Sequence, residues 1–410
     1  MSGRAGPRGP AGDGRRVWGL GFLVGSAFGA AATVLGRRAE VLARRGLVDW
    51  SGAEAFAVRR LRFAPGALTA TELRAAEPAY AAAMARIVPA LSTALGSDLP
   101  GVVDRAGVVD RAGWVQANVT TFAALIGRLE GDLLDQIIPA GGGLGKATMA
   151  LANRYVTTRQ IGLMLGFMGQ RVLGQYDLAL LATESTPGRL LFVDENIRHT
   201  ARALDVPLDP FRMWIALHET THAFEFEAHP WLRPYLASRL EEQLSAFSTG
   251  ASTLGRDAVR RLGRALRAGD GSHWMERLMS DEQRRLFRET QAVMSLLEGF
   301  SDYVMDEVGR DLVPDVVRIS ARFHARRQNR SPVERAIMRI TGMDLKMEQY
   351  RRGEAFVAEI ARTAGPAALR TLWEGPETLP RDEELDSPRR WVARVMPAVR
   401  VATVKGAASA

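Results

Sequence analysis

The sequence predicts a mainly α-helical fold with at most a small β element near one central helix. Apolar residues recur at helical spacing from Val48 onward, and few segments alternate apolar and polar residues as strands do. Only GRLLFVD, Gly188 to Asp194, has the composition of a strand. The 410 residues are 47% hydrophobic, which is ample for one large core.

We divide the chain into four predicted parts. Residues 1–16 form a leader rich in Gly, Pro and Arg, a composition that is typical of disorder. Residues 17–45 hold an apolar segment, Val17 to Gly36, and a basic linker. Residues 46–400 form the folded domain, and residues 401–410 form a flexible tail.

The apolar segment from Val17 to Gly36 has two interpretations. Its roughly 20 uncharged residues are enough to cross a bilayer, which would make it a membrane anchor. Its five glycines make it only weakly hydrophobic, so a helix docked on the folded domain is the alternative. Basic residues flank both ends, and the denser charge after Gly36 favours a cytoplasmic domain, anchored to the membrane if the segment inserts.

Three segments precede the central helix. GVVDRAGVVDRAGW, Gly101 to Trp114, contains two copies of V-V-D-R-A-G, which we interpret as a small duplication in a loop or helix entry. RQIGLMLGFMGQRVLGQYD, Arg159 to Asp177, is predicted as an apolar helix whose glycines allow close packing. GRLLFVD would receive an extended peptide by strand addition if it formed a sheet edge near the central helix.

The central helix is predicted within FRMWIALHETTHAFEFEAHPWL, Phe211 to Leu232. Asp209 and Pro210 predict its start, with Asp209 as N-cap and proline in the first helical position, and Pro230 stops it. Apolar residues at helical spacing place the two histidines of HETTH on the face that turns inward.

The H-E-x-x-H pattern from His218 to His222 indicates a metal site. A chain of this composition is expected to contain only about 0.01 such matches by chance. Two imidazoles one turn apart on a water-poor face can hold one Zn²⁺, and Glu219 projects beside them as a base for the metal-bound water. The alternative interpretation is a pair of core histidines that bind no metal.

A catalytic zinc usually has three protein ligands, so a third residue is needed. His229 lies seven positions after His222, without the glycine of the metzincin pattern, and we set it aside. Glu225 lies one turn beyond His222 and points progressively away from a shared metal, so we expect a solvated or paired charge there.

The remaining candidate lies in a long helix predicted from Asp281 to Gly309. Ser280 and Gln283 resemble a capping box at its start, and Gly309 resembles a C-terminal stop. Glu298 and Asp302 lie one turn apart on or beside its apolar stripe, where an unpaired carboxylate is costly and a cation would explain both.

HETTH followed by EGFSD resembles the gluzincin arrangement of zinc metallopeptidases, H-E-x-x-H with a later E-x-x-x-D. The resemblance implies that Glu298 is the third zinc ligand and that Asp302 accepts the N–H of His218. A carboxylate in that position fixes the tautomer and the orientation of the imidazole.

Several further segments match one family in order. They are DRAGWVQANV, RLLFVDENI, FRMWIALHETTH, SLLEGFSDYVMDEVG, MDLKMEQYRRGEAFV and WEGPETLPRDEELDSPRRWVARV. Together they are similar to an actinobacterial family of zinc-dependent metalloproteases or hydrolases, labelled as associated with coenzyme F420 biosynthesis. The resemblance implies that residues 46–400 form a zincin-like metallohydrolase domain of helices. No F420 chemistry follows from these residues.

Composition limits the other function classes. The net charge of +8 is spread along the chain, and no recognised nucleic-acid motif accompanies its densest basic stretch, Arg322 to Arg330, so we expect no nucleic-acid partner. The absence of cysteine leaves His and carboxylates as the strong metal ligands. With no G-x-S-x-G motif and no cysteine, the usual nucleophile routes lack support.

We therefore expect a zinc-dependent hydrolase, a metallopeptidase that acts on a peptide or another amide-containing substrate. Zn²⁺ would be held by His218, His222 and Glu298, and Glu219 would act as general base on a zinc-activated water. The alternative is a non-catalytic helical scaffold, or a membrane-tethered binding protein, with a structural or vestigial zinc site.

A group that stabilises the developing oxyanion is also expected. His229, Tyr235 and Tyr303 are all candidates, and the sequence does not choose between them.

Overall fold

A computed structural model describes residues 46–137, 144–177, 188–253, 279–328 and 343–396. Most of these residues are helical and a few form a small sheet, which confirms the predicted mainly α-helical fold. Within the described ranges, no helix is both long and apolar enough to span a membrane. The predicted leader, apolar segment and tail lie outside the described residues.

Among the described residues, the three short strands all lie in the first half of the chain. The strands are β1 (Ala106–Val109), β2 (Gly174–Asp177) and β3 (Arg189–Val193). The helices are α1 (Trp50–Leu61), α2 (Ala70–Leu95), α3 (Arg111–Ile137), α4 (Leu144–Gly169), α5 (Asp194–Leu204), α6 (Leu208–Glu227), α7 (Leu232–Thr253), α8 (Asp281–Leu312), α9 (Val316–Gln328), α10 (Met343–Ala364), α11 (Ala368–Thr371), α12 (Asp382–Leu385) and α13 (Pro388–Val395).

The sheet has the strand order β1-β3-β2. β1 pairs in parallel with β3, and β2 pairs antiparallel with β3, with Gly174 opposite Phe192. The predicted strand within Gly188–Asp194 is confirmed as β3, and its residues 190–193 are fully buried. β3 is central, so it has no free edge for a peptide. β2 is the strand at the edge beside α6.

The helix predicted from Arg159 to Asp177 is too long. α4 ends at Gly169, and the last four residues form β2 instead. The side chain of Asn196 donates to the carbonyl oxygens of Gly169 and Val172, at 2.7 Å each, and so satisfies carbonyls that a helix end leaves open. Because Asn196 is distant in sequence, the local pattern carries no sign of this helix end.

α6 lies at the centre of the molecule and packs against α2, α8 and the sheet. It starts at Leu208, so the predicted N-cap Asp209 lies instead in the first turn. There its carboxylate accepts a hydrogen bond from Arg212 at 2.9 Å and faces the positive end of the helix dipole. The helix ends at Glu227, three residues before Pro230, as the sequence predicts.

A buried ion cluster fixes the start of α6. Asp194, at the start of α5, is fully buried. It accepts hydrogen bonds from Arg212 Nε and Nη2, both at 2.9 Å, from Tyr80 Oη at 2.9 Å and from Arg198 Nε at 2.7 Å. These bonds join α2, α5 and α6 around one carboxylate.

α8 crosses α10 with almost no side chain between the two helices. A Cβ on Gly353 would overlap the carbonyl oxygen of Ser295, and a Cβ on Gly299 would overlap the backbone of Gly353. The predicted capping box of Ser280 and Gln283 is present. The predicted stop at Gly309 is wrong, because α8 continues to Leu312 and Gly309 packs under side chains of other elements.

Candidate metal centre

His218 and His222 face each other on the least buried side of α6, because every other residue from Phe211 to Phe226 is buried. They therefore line a partly accessible side of the helix and not the inward-turning apolar face that the spacing predicts. Their Nε2 atoms lie 3.2 Å apart, and their side chains are 19% and 14% exposed. Two imidazole nitrogens this close compete for one proton, unless a cation lies between them. One turn of helix therefore brings two potential ligand atoms to the same point.

α8 brings a carboxylate to the two histidines. Glu298 Oε2 lies 3.7 Å from His218 Nε2 and 4.0 Å from His222 Nε2. Tetrahedral zinc with bonds of 2.0 to 2.2 Å holds its ligand atoms roughly 3.4 Å apart. The three side chains predicted as ligands thus converge at nearly the spacing that zinc requires, and their donor set fits the metal.

Glu225 supports His222 from behind. It is fully buried, and its Oε2 lies 2.8 Å from His222 Nδ1. Ser301 donates to Glu225 Oε1 at 3.4 Å and lies 3.2 Å from the same Nδ1. A carboxylate bound to the outer nitrogen turns the inner nitrogen toward the metal position.

The charge of Glu225 is thus paired, as one of the two expectations stated, and it is not solvated. The sequence did not predict that Glu225 supports the candidate ligand His222. The signal was its place one turn after His222 on a helix flanked by apolar residues, where a solvated carboxylate is costly.

The charges around the histidines favour a cation. Burial lowers the pKa of His222, but Glu225 and then Glu298 and Glu219 raise it more, to about 10. The acidic side chains around His222 therefore stabilise positive charge close to the point where the candidate ligand atoms converge.

Asp302 lies one turn after Glu298 on α8 and is half-buried. His218 Nδ1, which the gluzincin resemblance assigns to Asp302, lies 3.1 Å from Met305 Sδ. The orientation of His218 by Asp302 stays a prediction.

Glu219 lies beside the ligands and is 8% exposed. Its Oε2 accepts a hydrogen bond from the backbone N–H of Tyr176 in β2 at 3.1 Å. Burial raises the pKa of Glu219 to about 7, although the charge of His222 opposes this shift. A carboxylate with a pKa near neutrality is suited to accept and return a proton.

The three candidates for oxyanion stabilisation lie in different surroundings. His229 stacks on Trp373 with ring centroids 5.1 Å apart, and its Nδ1 lies 2.8 Å from the carbonyl oxygen of Glu225. Because a carbonyl only accepts, Nδ1 carries the proton, and Nε2 of the neutral ring has none to donate. Burial lowers the pKa of His229 and disfavours the doubly protonated ring.

Tyr303 is half-buried on α8, next to Asp302. Tyr235, on α7, lines a cavity of about 890 Å³ beside the first turns of α8. Arginine and acidic side chains line this cavity in equal number, so its charge favours neither anions nor cations.

An H-E-x-x-H helix whose histidines meet a glutamate from a later helix defines a zincin-type metal centre, here on a mainly α-helical fold. The chain belongs to the zincin-like metallopeptidase family, whose model matches residues 48–392. This confirms the zincin-like part of the resemblance. It does not bear on the actinobacterial origin or on the F420 label.

A solved structure from Chloroflexus aurantiacus, described as "a putative hydrolase with a novel fold", is similar to this chain. The two share 33% sequence identity and superpose with a TM-score of 0.62. The match covers 85% of this chain and 98% of the other. No curated protein matches the sequence.

Proposed function

We propose that this protein is a zinc-dependent metallopeptidase. The observation that supports this most strongly is the convergence of ligand atoms from His218, His222 and Glu298, on two separate helices, beside the buried Glu219. Membership of the zincin-like metallopeptidase family supports zinc and hydrolysis in general.

Zinc, when bound, makes a water molecule more acidic and polarises the carbonyl of the scissile amide. Glu219 accepts the proton of the attacking water and passes it to the leaving amine. Glu225 and Ser301 orient His222, and Asp302 is assigned to His218 by the gluzincin resemblance.

The proposed substrate is a peptide or another amide-containing molecule. β2 forms one edge of the described sheet and lies beside Glu219, whereas β3 is central, so an extended peptide that adds to the sheet near Glu219 would lie along β2. The N–H of Tyr176 is donated to Glu219, so such a peptide would pair with the other outward backbone groups of β2.

Two substitutions test the proposed function. We expect Glu219→Gln to retain zinc and to lose turnover by about 10²-fold or more, because the metal ligands stay and the proton acceptor is lost. We expect Glu298→Ala to lose zinc during purification. Zinc content by mass spectrometry and digestion of a broad peptide library by the purified protein measure the two effects.

Each outcome has a distinct meaning. Full turnover by Glu219→Gln refutes the general-base role, and full zinc content in Glu298→Ala refutes the ligand role. A wild-type protein that retains zinc but cleaves neither peptides nor other amide substrates contradicts the proposed function and favours the scaffold alternative with a structural site.

A further inference from the structure

The carboxylate of Glu219 lies against the edge strand β2. Tyr176 donates its backbone N–H to Glu219 Oε2, and Gly174, two residues earlier on the same strand, faces the same side chain. β2 has only four residues, so half of this strand contacts the proposed general base.

Gly174 has no room for a side chain. A Cβ there would lie 2.5 Å from Cγ, 2.7 Å from Oε1 and 2.8 Å from Cδ of Glu219, closer than real Cβ atoms come to other atoms. The φ angle of Gly174 is not in the left-handed region, so its backbone conformation is open to other residues. The glycine is therefore required by the contact with Glu219 and not by the backbone.

We propose that Gly174 is a positioning residue for Glu219. The Cα of Gly174, which carries no side chain, and the backbone N–H of Tyr176 together hold the carboxylate of Glu219 beside the candidate zinc ligands. A proton acceptor must lie within hydrogen-bond reach of the water it serves, and a misplacement of about 1 Å costs roughly 10²-fold in rate. The inference rests on the proposed function, because it assigns Glu219 the role of general base.

Alanine at position 174 separates positioning from folding. The atoms that alanine would displace belong to one side chain, and alanine is tolerated in strands better than glycine. The three atoms nearest to the new methyl group all belong to Glu219, and none of them is a ligand atom of His218, His222 or Glu298.

Gly107→Ala is the matched control. Gly107 lies in β1 of the same sheet, and a Cβ there would meet Leu191 Cδ2 at 3.7 Å, an ordinary contact. The same chemical change in the same sheet thus leaves Glu219 untouched.

Kinetics give the first test. With a peptide that the wild type cleaves, we expect Gly174→Ala to retain zinc and to lower kcat by about 10²-fold with little change in KM. Gly107→Ala should leave both constants unchanged. A wild-type kcat in Gly174→Ala overturns the proposal, and so does loss of zinc, which would make Gly174 a part of the metal centre.

A double-mutant cycle gives a second test that needs no turnover. Gly174→Ala should lower the urea midpoint in the wild-type background, but not in a Glu219→Ala background, where the displaced side chain is gone. An equal decrease in both backgrounds shows that the contact is not with Glu219 and overturns the proposal. If the wild type cleaves no peptide, the proposed function fails by itself, while the cycle still decides the contact.

Discussion

Asp194, Glu219 and Glu225 are buried carboxylates on α5 and α6, and their partners decide what each one does. Asp194 is surrounded by cations and a hydroxyl, so it stabilises the fold. Glu225 is bound to a candidate ligand, so it orients that ligand. Glu219 accepts one backbone N–H and interacts electrostatically with His222 and Glu298, which suits the proton-accepting role proposed for it.

We predict that Asp194→Asn destabilises the protein by about 3–5 kcal/mol at pH 7, because it leaves the charge of Arg212 buried without its main partner. Urea unfolding measures this loss. Asp209→Asn is the matched control, because Asp209 pairs with the same Arg212 but is 77% exposed. Its loss should cost at most about 1 kcal/mol.

The pH dependence of the same cluster has a definite sign. Burial raises the pKa of Asp194, but the bonds from Arg212, Arg198 and Tyr80 lower it more, so the pKa lies below its usual value. Its contribution to stability is therefore complete above the unfolded-state pKa of about 3.9 and is lost as the pH falls through the lower folded-state value. The unfolding free energy of Asp194→Asn should depend less on pH below about 4 than that of the wild type, and equal slopes would contradict this assignment.

At the residue scale, the H-E-x-x-H spacing and the gluzincin resemblance predicted that His218 and His222 would meet Glu298, and the three side chains do converge. Sequence reasoning could not identify Gly174. A single glycine in a short segment has no pattern, and its importance comes from Glu219, which another part of the chain supplies. The role of Glu225 was missed because a carboxylate at helical spacing is usually solvated or paired.

At the scale of elements, long helices were predictable and the short strand beside the site was not. α6 is buried on nearly all sides, α8 has an apolar stripe, and a capping box marks the start of α8. β2 has four residues, and its antiparallel partner β3 lies further along the chain, so the segment resembled the end of the preceding helix. Pairing with β3 overrides the local preference.

The tandem V-V-D-R-A-G copies show the same effect. The first copy, residues 102–107, contains a short 3-10 turn and the start of β1. The second copy, residues 108–113, contains the end of β1 and the start of α3, where Asp110 accepts the N–H of Gly113 at 2.6 Å. The two identical segments adopt different structures because their partners differ: Arg105 pairs with Glu227, and Arg111 pairs with Glu195.

The crossing of α8 and α10 gives a prediction for two helices together. Gly353→Ala should cost about 1–3 kcal/mol, because the new Cβ overlaps backbone and not a flexible side chain. It should also weaken zinc binding, since α8 carries Glu298. Thermal unfolding and chelator competition measure the two effects.

Gly127→Ala in α3 is the control for this substitution, because nothing lies within 4 Å of a Cβ there. It should raise stability by about 0.5–1 kcal/mol, the usual gain from alanine inside a helix. Wild-type stability and zinc affinity in Gly353→Ala would show that the two helices separate without cost.

At the scale of the whole molecule, the candidate metal centre takes its side chains from α6 and α8, which are distant in sequence. The helical class was predictable from apolar periodicity, and the convergence of His218, His222 and Glu298 was predictable from the H-E-x-x-H spacing together with the gluzincin resemblance. The three-stranded sheet was predictable only in its central strand, because β1 and β2 are short and lie at its edges.

Removal of the metal should therefore lower global stability. A ligand that binds only the folded state contributes RT ln(1 + [L]/Kd), or about 4 kcal/mol at a thousandfold excess over Kd. We expect a chelator to lower the melting temperature and added zinc to restore it. Glu219→Gln should keep this shift and Glu298→Ala should lose most of it; an unchanged melting temperature after complete removal of zinc would refute the link between the two helices.

The crossing of α8 and α10, where glycines bring the two backbones into contact, also limits which sequence changes this fold can accept during evolution. Where two backbones touch, neither helix can accept a bulkier residue unless the pair moves apart. Such a movement would carry the carboxylate of Glu298 away from the imidazoles of His218 and His222. Because glutamate is already the longer of the two acidic side chains, no other acidic residue at position 298 could reach further. A homologous protein with a larger distance between these helices would need a metal ligand from elsewhere in the chain, or it would not bind the metal.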